Sequence, residues 1–275
     1  MNKEIFKMSI PINEPILNYS PGSKEKKELK KVLNDFKSKE VDIPMYINGK
    51  EIRTDNKIRI SPPHNHNHTL GCYNNGNASH VHSAIKAAMS AKKSWNALGA
   101  AKRAEIFLKA ADLIAGPYRA KINATTMLGQ SKNIFQAEID AACELIDFLR
   151  FNPYYMSKIN EEQPISPEGM KNSLEYRPLE GFIFALSPFN FTSIAGNLCS
   201  SVALMGNTVV WKASRTQIYS ADIIMKVFKE AGLPNGVINL IHIEGKTAGD
   251  IIFKHPDFGG IHFTGSTNVF QNFWK

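Results

Sequence analysis

The second half of the sequence predicts an α/β fold with a doubly wound parallel sheet. From residue 181 onward, short apolar runs alternate with stretches that have helical spacing. Such alternation requires parallel strands joined by right-handed crossovers, which is a nucleotide-binding architecture. The runs are continuously apolar, as expected of strands that are covered on both faces. Strands are predicted at 181–186, 208–211, 237–243 and 260–263, with helices at 193–205, 219–231, 247–253 and from Thr264 onward.

The first 60 residues predict an amino-terminal arm and a hairpin. A Lys-rich stretch at 24–37 predicts a short helix. The Asn48-Gly49 pair stands between two apolar runs within 45–52. Both central residues of a two-residue hairpin turn need a positive φ, which Asn and Gly tolerate well. We therefore expect residues 1–60 to contain an extended arm, one helix and a tight β-hairpin.

Residues 61–150 are expected to be the helical part of a cofactor-binding domain. After an initial loop, three apolar stripes follow one another with helical spacing. The third stripe begins at Phe135 and Ile139, which places Glu138 and Asp140 mostly on the solvated side.

Two polar segments predict irregular structure. The first, 61–77, is rich in Pro, Asn and His. Its alternating histidines within 64–68 resemble a metal-binding tract, but an Asn-rich loop without metal is the favoured interpretation. The second, 151–180, contains three prolines and predicts a flap that connects the domains and could serve oligomerisation. The remaining residues, 181–275, would be an incomplete βαβ dinucleotide-binding part.

Composition excludes several classes of protein. The net charge is +8, but the positive residues are spread out along the sequence. They are not combined with aromatic residues in a surface that would predict nucleic-acid binding. Three widely spaced cysteines indicate a reducing compartment. No apolar run approaches the roughly 18 residues that a membrane span needs. We therefore expect a cytoplasmic protein, with the mitochondrial matrix as the alternative, and neither nucleic acid nor a membrane as a partner.

Polar residues follow three of the predicted strands, and ligands bind at the carboxyl ends of strands in open parallel sheets. Asn190 lies after the first strand and just before a helix. Its amide could donate to a developing oxyanion, a contribution of roughly 3 kcal/mol in other enzymes. Asn is also a favoured helix cap, and the spacing alone favours capping.

The other two strand ends are less specific signals. Lys212 follows the second strand and could bind ribose hydroxyls or phosphate, although a surface lysine is the simpler interpretation. The segment 264–267 places a Gly and hydroxyl residues at a strand-to-helix turn, where free backbone N–H groups favour a pyrophosphate. An ordinary helix cap explains it equally well, and the usual Gly-x-Gly-x-x-Gly fingerprint is absent.

Taken together, the motifs after residue 181 resemble the ordered motif series of the aldehyde dehydrogenase superfamily. The segments that carry this resemblance are Ser187-Pro188-Phe189-Asn190-Phe191, Gly206-Asn207, Trp211-Lys212-Ala213-Ser214, Ala231-Gly232-Leu233-Pro234-Asn235-Gly236-Val237, Gly245 through Gly249-Asp250, and Phe263-Thr264-Gly265-Ser266. The upstream half resembles the delta-1-pyrroline-5-carboxylate (L-glutamate gamma-semialdehyde) dehydrogenase branch. The matching segments there are Asn13-Glu14-Pro15, 19–23, 129–132 and 136–148.

The resemblance implies an NAD-dependent oxidation of an aldehyde, namely L-glutamate gamma-semialdehyde to L-glutamate in proline catabolism. It implies that Asn190 is the oxyanion-hole donor and that Ser187 and Lys212 contact NAD, Lys212 at the adenosine ribose. The residues implied at the NAD pyrophosphate are Gly265, Ser266 and Thr267. The full-length protein would be a homo-oligomer.

The sequence departs from the family pattern in two ways. Ala213 and Arg215 stand where the family often has Pro and an acid, and Arg215 leaves NAD and NADP both open. The family also needs a Cys nucleophile and a Glu that activates water, in segments beyond residue 275. Cys199 lies in an apolar helical stretch without a basic partner and is interpreted as packing.

The chain alone is therefore expected to be inactive. Two alternatives remain from the sequence. One is another NAD(P)-dependent aldehyde dehydrogenase, because most substrate-selecting segments are absent. The other is a truncated, non-catalytic protein that binds a nucleotide or a partner.

Overall fold

The computed structural model describes residues 6–274, and their helices and strands follow the predicted alternation. The strands are β1 (Val41–Ile43), β2 (Met45–Ile47), β3 (Lys50–Ile52), β4 (Lys57–Ile60), β5 (Gly71–Asn74), β6 (Phe182–Leu186), β7 (Val209–Lys212), β8 (Ile238–Ile241) and β9 (Phe258–Phe263). The helices are α1 (Lys24–Ser38), α2 (Ala78–Ala97), α3 (Ala100–Ala115), α4 (Arg119–Gln130), α5 (Ile134–Ala137), α6 (Leu145–Glu161), α7 (Thr192–Leu204), α8 (Ile218–Ala231), α9 (Gly245–Ile252) and α10 (Thr267–Trp274).

The doubly wound parallel sheet is confirmed. Within the described residues, the main sheet has six strands in the order β3-β2-β8-β7-β6-β9, of which β8, β7, β6 and β9 are parallel. The chain steps outward from β6 to β7 and β8, and it then returns to the other side of β6 to form β9. Strand order therefore reverses between β6 and β9, and such a switch point is where open α/β sheets bind their ligands.

Helices cover both faces of this sheet. Side chains on one face, such as Ala185 and Trp211, join a core with α7 and α8, behind which α3 and α6 pack. The neighbouring residues Phe184 and Val210 point to the other face and join a second core with α2 and α9. Adjacent residues of a strand thus bury opposite faces, which explains why the sequence has continuous apolar runs.

The predicted hairpin is confirmed at β2 and β3. Asn48 and Gly49 have φ values of 51° and 73°, as the turn requires. The hairpin also lengthens the main sheet, because Tyr46 pairs antiparallel with Leu240 of β8. The sequence did not predict this pairing, since local spacing carries no information on which distant strand an edge will join.

The helical interpretation of the middle region is confirmed, with two corrections at its boundaries. The predicted loop 61–77 contains β5, which pairs with both β1 and β4 in a separate three-stranded sheet. A four-residue strand inside a polar segment is too short to give an alternating pattern. Helix α6 continues to Glu161 with Pro153 inside it, so only 162–180 of the predicted flap lacks regular structure.

The prediction that Glu138 and Asp140 face solvent is wrong. Both are buried, while Phe135 and Ile139 of the supposed apolar stripe are 63% and 52% exposed. The cause is a π-helix at Glu138–Glu144. Its wider turns, with hydrogen bonds from residue i to i+5, rotate the faces away from those that a 3.6-residue period predicts.

The buried Glu138 fixes the amino-terminal arm to the helical region. Its carboxylate accepts hydrogen bonds from the Leu17 backbone N–H at 2.9 Å and the Tyr19 hydroxyl at 2.7 Å, and it pairs with Arg119. Arg119 pairs in turn with Glu14. Burial opposes the charge on Glu138, but these partners outweigh it and hold its pKa below the usual value. Two of the four upstream segments of the resemblance, 19–23 and 136–148, are therefore in direct contact.

Candidate functional site

The carboxyl ends of the parallel strands form one edge of the sheet. Backbone pairing joins β6 to its neighbours at this edge, since Leu186 pairs with Lys212 of β7 and with Phe263 of β9. The Thr264 N–H donates to the Leu186 carbonyl at 3.3 Å. The predicted site residues that follow β6, β7 and β9 therefore lie at the same edge of the sheet.

Asn190 lies in the loop between β6 and α7 and is partly exposed. It does not cap α7, because the cap position is Phe191 and no side chain of that residue takes the role. Within residues 6–274, the Asn190 side-chain amide has no hydrogen-bond partner. The capping interpretation, which spacing alone favoured, is wrong. The amide is free to donate to a ligand at the switch point.

Asp140 supplies the cap that Asn190 does not. Its carboxylate accepts from the Thr192 and Ser193 backbone N–H groups at 3.3 and 3.2 Å. It also accepts from the Ser193 hydroxyl at 2.9 Å and pairs with Lys132 at 2.7 Å. Sequence reasoning missed Asp140, because an α-helical period assigned it to solvent.

Ser187 is buried, and its hydroxyl is hydrogen-bonded within the protein. Its hydroxyl accepts from the Trp211 indole N–H at 2.7 Å and lies 3.4 Å from the Lys212 carbonyl, to which it can donate. The structure thus gives Ser187 a role in joining the ends of β6 and β7. Its contact with a cofactor stays a prediction.

Lys212 ends β7 and is the most distinctive charge at this edge. No carboxylate among residues 6–274 pairs with its ammonium. Burial lowers the pKa of Lys212, because a cation is costly to remove from water without a partner. Arg215 follows at the surface and is also unpaired within the described residues. An anionic ligand would neutralise the charges of Lys212 and Arg215.

The segment after β9 presents an exposed turn. Gly265, Ser266 and Thr267 are all exposed. The Ser266 hydroxyl accepts from the Val269 N–H at 3.3 Å, so it caps the first turn of α10. The capping interpretation of Ser266 therefore holds, and the position at the switch point leaves a phosphate role open as a prediction.

His242, directly after β8, was missed by the sequence analysis. Its side chain is buried against the Tyr73 ring at 5.5 Å, and neither ring nitrogen has a hydrogen-bond partner in the described part of the chain. Burial lowers its pKa to about 3, so the ring is neutral at physiological pH. Only the position of this His at a strand end could have drawn attention to it.

These residues fit a dinucleotide. An unpaired, partly buried cation at Lys212 and an exposed strand-to-helix turn at 264–267 lie at the same edge of the sheet, on the two sides of β6. Both features suit the ribose and phosphates of a dinucleotide without the glycine fingerprint. Residues 6–274 hold no group of three His, Cys, Asp or Glu side chains that could bind a metal ion, and no helix there is long and apolar enough to cross a membrane.

The three cysteines are not activated. Cys199 is fully buried in α7, and burial raises its pKa. Burial also raises the pKa of Cys143 to about 12 and that of Cys72 above its usual value, with Glu138 and Asp42 as further causes. A thiolate nucleophile needs a lowered pKa, so none of the three suits covalent catalysis.

Comparisons with known proteins agree with this geometry. The profile of the aldehyde dehydrogenase family matches residues 51–275. The chain is 45% identical over 273 residues to a probable delta-1-pyrroline-5-carboxylate dehydrogenase of Schizosaccharomyces pombe. This match covers 98% of the chain and 50% of the yeast protein. It is 44% identical to the human mitochondrial delta-1-pyrroline-5-carboxylate dehydrogenase, and this match covers 96% of the chain and 47% of the human protein.

A solved structure is similar to the chain over almost its whole length. The delta-pyrroline-5-carboxylate dehydrogenase of Mycobacterium tuberculosis bound with NAD superposes with a TM-score of 0.95 and is 48% identical, covering 99% of this chain and 51% of that one. The chain spans about half the length of the curated relatives that it matches.

Proposed function

The chain belongs to the aldehyde dehydrogenase family, and we propose that it is the cofactor-binding part of an enzyme that oxidises L-glutamate gamma-semialdehyde to L-glutamate with NAD. This reaction would belong to proline catabolism. The observation that carries the proposal is the free amide of Asn190 in the loop after β6, at the sheet edge where Lys212 ends β7 with an unpaired charge. The names of the relatives support the choice of aldehyde.

In this proposal, each residue at the carboxyl edge has a separate task. NAD, when bound, supplies the carbon that accepts hydride from the substrate. Lys212 holds the adenosine ribose, and the turn at 264–267 lies against the pyrophosphate. The Asn190 amide donates to the oxygen of the tetrahedral intermediate and stabilises its developing charge.

The 275-residue chain by itself is expected to be inactive. Its three cysteines have raised pKa values, so none of them suits the role of the nucleophile. This gives the second candidate function some support: a chain of this length that binds a nucleotide or a partner without turnover. The two candidates differ in a simple way, since only the first gives NADH formation from the intact gene product.

The cofactor and the substrate can be tested together. The intact gene product is assayed for reduction of NAD and NADP with the semialdehyde and with a panel of aliphatic and aromatic aldehydes. We expect the highest kcat/KM with the semialdehyde and NAD. A clear preference for another aldehyde would support a different aldehyde dehydrogenase, and a preference for NADP would be consistent with a contact between Arg215 and the 2′-phosphate.

The oligomeric state and the cellular location of the intact protein can be proposed as well. We propose a homo-oligomer for the intact protein, located in the cytoplasm or, as several relatives are named, in mitochondria. Light scattering of the purified protein tests the first, and cell fractionation tests the second.

A further inference from the structure

The loop that carries Asn190 is fixed on both sides, while the Asn190 side chain itself is not. On the amino-terminal side, the Thr216 hydroxyl donates to the Phe189 carbonyl at 2.7 Å. On the other side, the Lys132 ammonium lies 4.1 Å from the centroid of the Phe191 ring, within the range of a cation–π interaction. The two direct neighbours of Asn190 are therefore held by other elements.

The start of α7 is fixed by a second set of contacts from α4. The Thr192 hydroxyl lies 2.8 Å from the Thr126 hydroxyl and accepts from the Gln130 amide at 2.7 Å. The backbone N–H groups of Thr192 and Ser193 donate to Asp140. Lys132 pairs with Asp140 and contacts Phe191, so one cation connects the cap to the loop.

A competing arrangement is available to Asn190. An Asn side chain readily accepts from the backbone N–H two residues later, and here that group is the Thr192 N–H. Asp140 already occupies this donor and the next one. Without Asp140, the first N–H groups of α7 would be unsatisfied, and capping by Asn190 would satisfy one of them.

We propose that Asp140, held by Lys132, is a positioning residue that keeps the Asn190 amide available by occupying the cap of α7. The inference rests on the proposed function, because it assigns Asp140 an effect on the same reaction. Asp140 contacts no substrate in this account. It acts through the orientation of Asn190, and the π-helix is what brings its carboxylate to the start of α7.

Kinetics of the intact gene product provide the first test. We expect Asp140→Ala to lower kcat by about tenfold to hundredfold, since a misplacement of about 1 Å can cost about a hundredfold. The KM values for NAD and aldehyde should change by less than about twofold, because ground-state binding is untouched. Asp147→Ala is the matched control: it removes a carboxylate that binds the Asn13 amide and the Glu14 N–H, and it should leave kcat unchanged.

A double-mutant cycle separates positioning from a general loss of stability. If Asp140 acts through Asn190, Asp140→Ala should cost almost nothing in an Asn190→Ala background. Equal losses of kcat in both backgrounds would overturn the proposal. Should Asp140→Ala fail to fold, Asp140→Asn keeps one acceptor for α7 and loses the ion pair with Lys132. Its loss of kcat should likewise almost vanish in the Asn190→Ala background, and an equal loss in both backgrounds would overturn the proposal.

A structural readout keeps this inference distinct from the proposed function. If the wild-type intact protein gives no turnover with any aldehyde, the proposed function fails by itself. The crystal structure of Asp140→Ala then decides on the positioning role. We expect the Asn190 side chain to accept from the Thr192 N–H in the variant. An Asn190 conformation unchanged from wild type would overturn the proposal whatever the activity.

Discussion

His242 is a buried titratable side chain that the proposed reaction does not use. Its pKa falls from 6.5 to about 3 because the ring is removed from water, while an unfolded chain would protonate it near 6.5. Between these values the unfolded state binds more protons than the folded state. The contribution of His242 to stability is therefore fully present above pH 6.5 and is lost as the pH falls toward 3.

Removal of this titration should flatten the acid side of the stability profile. When the pH falls from 7.5 to 5.5, the wild-type protein should lose about 1.4 kcal/mol more of its unfolding free energy than His242→Leu does. This difference corresponds to one pH unit below the pKa of His242 in the unfolded chain. Urea denaturation at both pH values measures it. Identical losses in the variant and the wild type would show that His242 is not kept neutral by the fold.

The β2–β3 hairpin shows how one glycine fixes the position of an element. Gly49 has a positive φ, and a Cβ atom there would lie 1.9 Å from the Asn235 side-chain oxygen. Gly22 also has a positive φ, at 84°, but a Cβ atom would meet nothing within 4 Å. The two sites thus share the conformational penalty of a non-glycine residue and differ in the clash.

We expect Gly49→Ala to destabilise the protein more than Gly22→Ala does. The left-handed conformation costs about 1–2 kcal/mol for a residue with a Cβ atom at either site, and Gly49→Ala must also displace Asn235. Chemical denaturation of the two variants gives the comparison. Equal free energies of unfolding would mean that the turn at Gly49 is not packed against Asn235 in solution.

The elements that the sequence predicted are those with a strong local signal. The strands β6 to β9 are short, apolar and separated by helices, and the Asn48-Gly49 turn has a specific conformational need. The same local logic failed at Glu138–Glu144, since a π-helix depends on tertiary contacts rather than on spacing. Among the site residues, Asn190 and Lys212 were found from their places at strand ends.

The role of Asp140 and the burial of His242 could not have been predicted in this way. Asp140 reaches α7 only because the π-helix turns it inward, and it binds residues more than fifty positions away. His242 was one polar residue in an apolar strand run, and its burial depends on the packing of Tyr73 from a distant segment. Sequence spacing determines neither contact.

The amino-terminal arm is attached to the rest of the molecule through polar contacts. Glu138 binds Leu17, Tyr19 and Arg119, while Asp147 accepts from Asn13 at 2.6 Å. The pKa of Glu138 is lowered, so its contribution is present above the usual carboxyl range near pH 4.5 and is lost as the pH falls below it. The arm should therefore detach in acid.

Glu138→Gln should release the arm at neutral pH. The variant loses the charged acceptor shared by Leu17, Tyr19 and Arg119, and Glu14 remains as a carboxylate partner of Arg119. The cost should therefore lie below the about 3–5 kcal/mol of a buried charge that is left wholly uncompensated. Limited proteolysis followed by mass spectrometry should show cleavage within residues 10–20 of the variant. Glu161→Gln removes a partly exposed partner of Lys158, away from the contacts of the arm, and should leave the arm protected. Equal protection in all three proteins would contradict the attachment described here.

The proposed role of Asn190 is to stabilise the oxyanion in an NAD-dependent oxidation of an aldehyde. The most direct measurement is the rate of NADH formation by the intact gene product and its Asn190→Ala variant with L-glutamate gamma-semialdehyde. We expect the kcat of the variant to fall about a hundredfold to a thousandfold with little change in KM. A variant with wild-type kcat, or a wild-type protein that forms no NADH, would contradict this role.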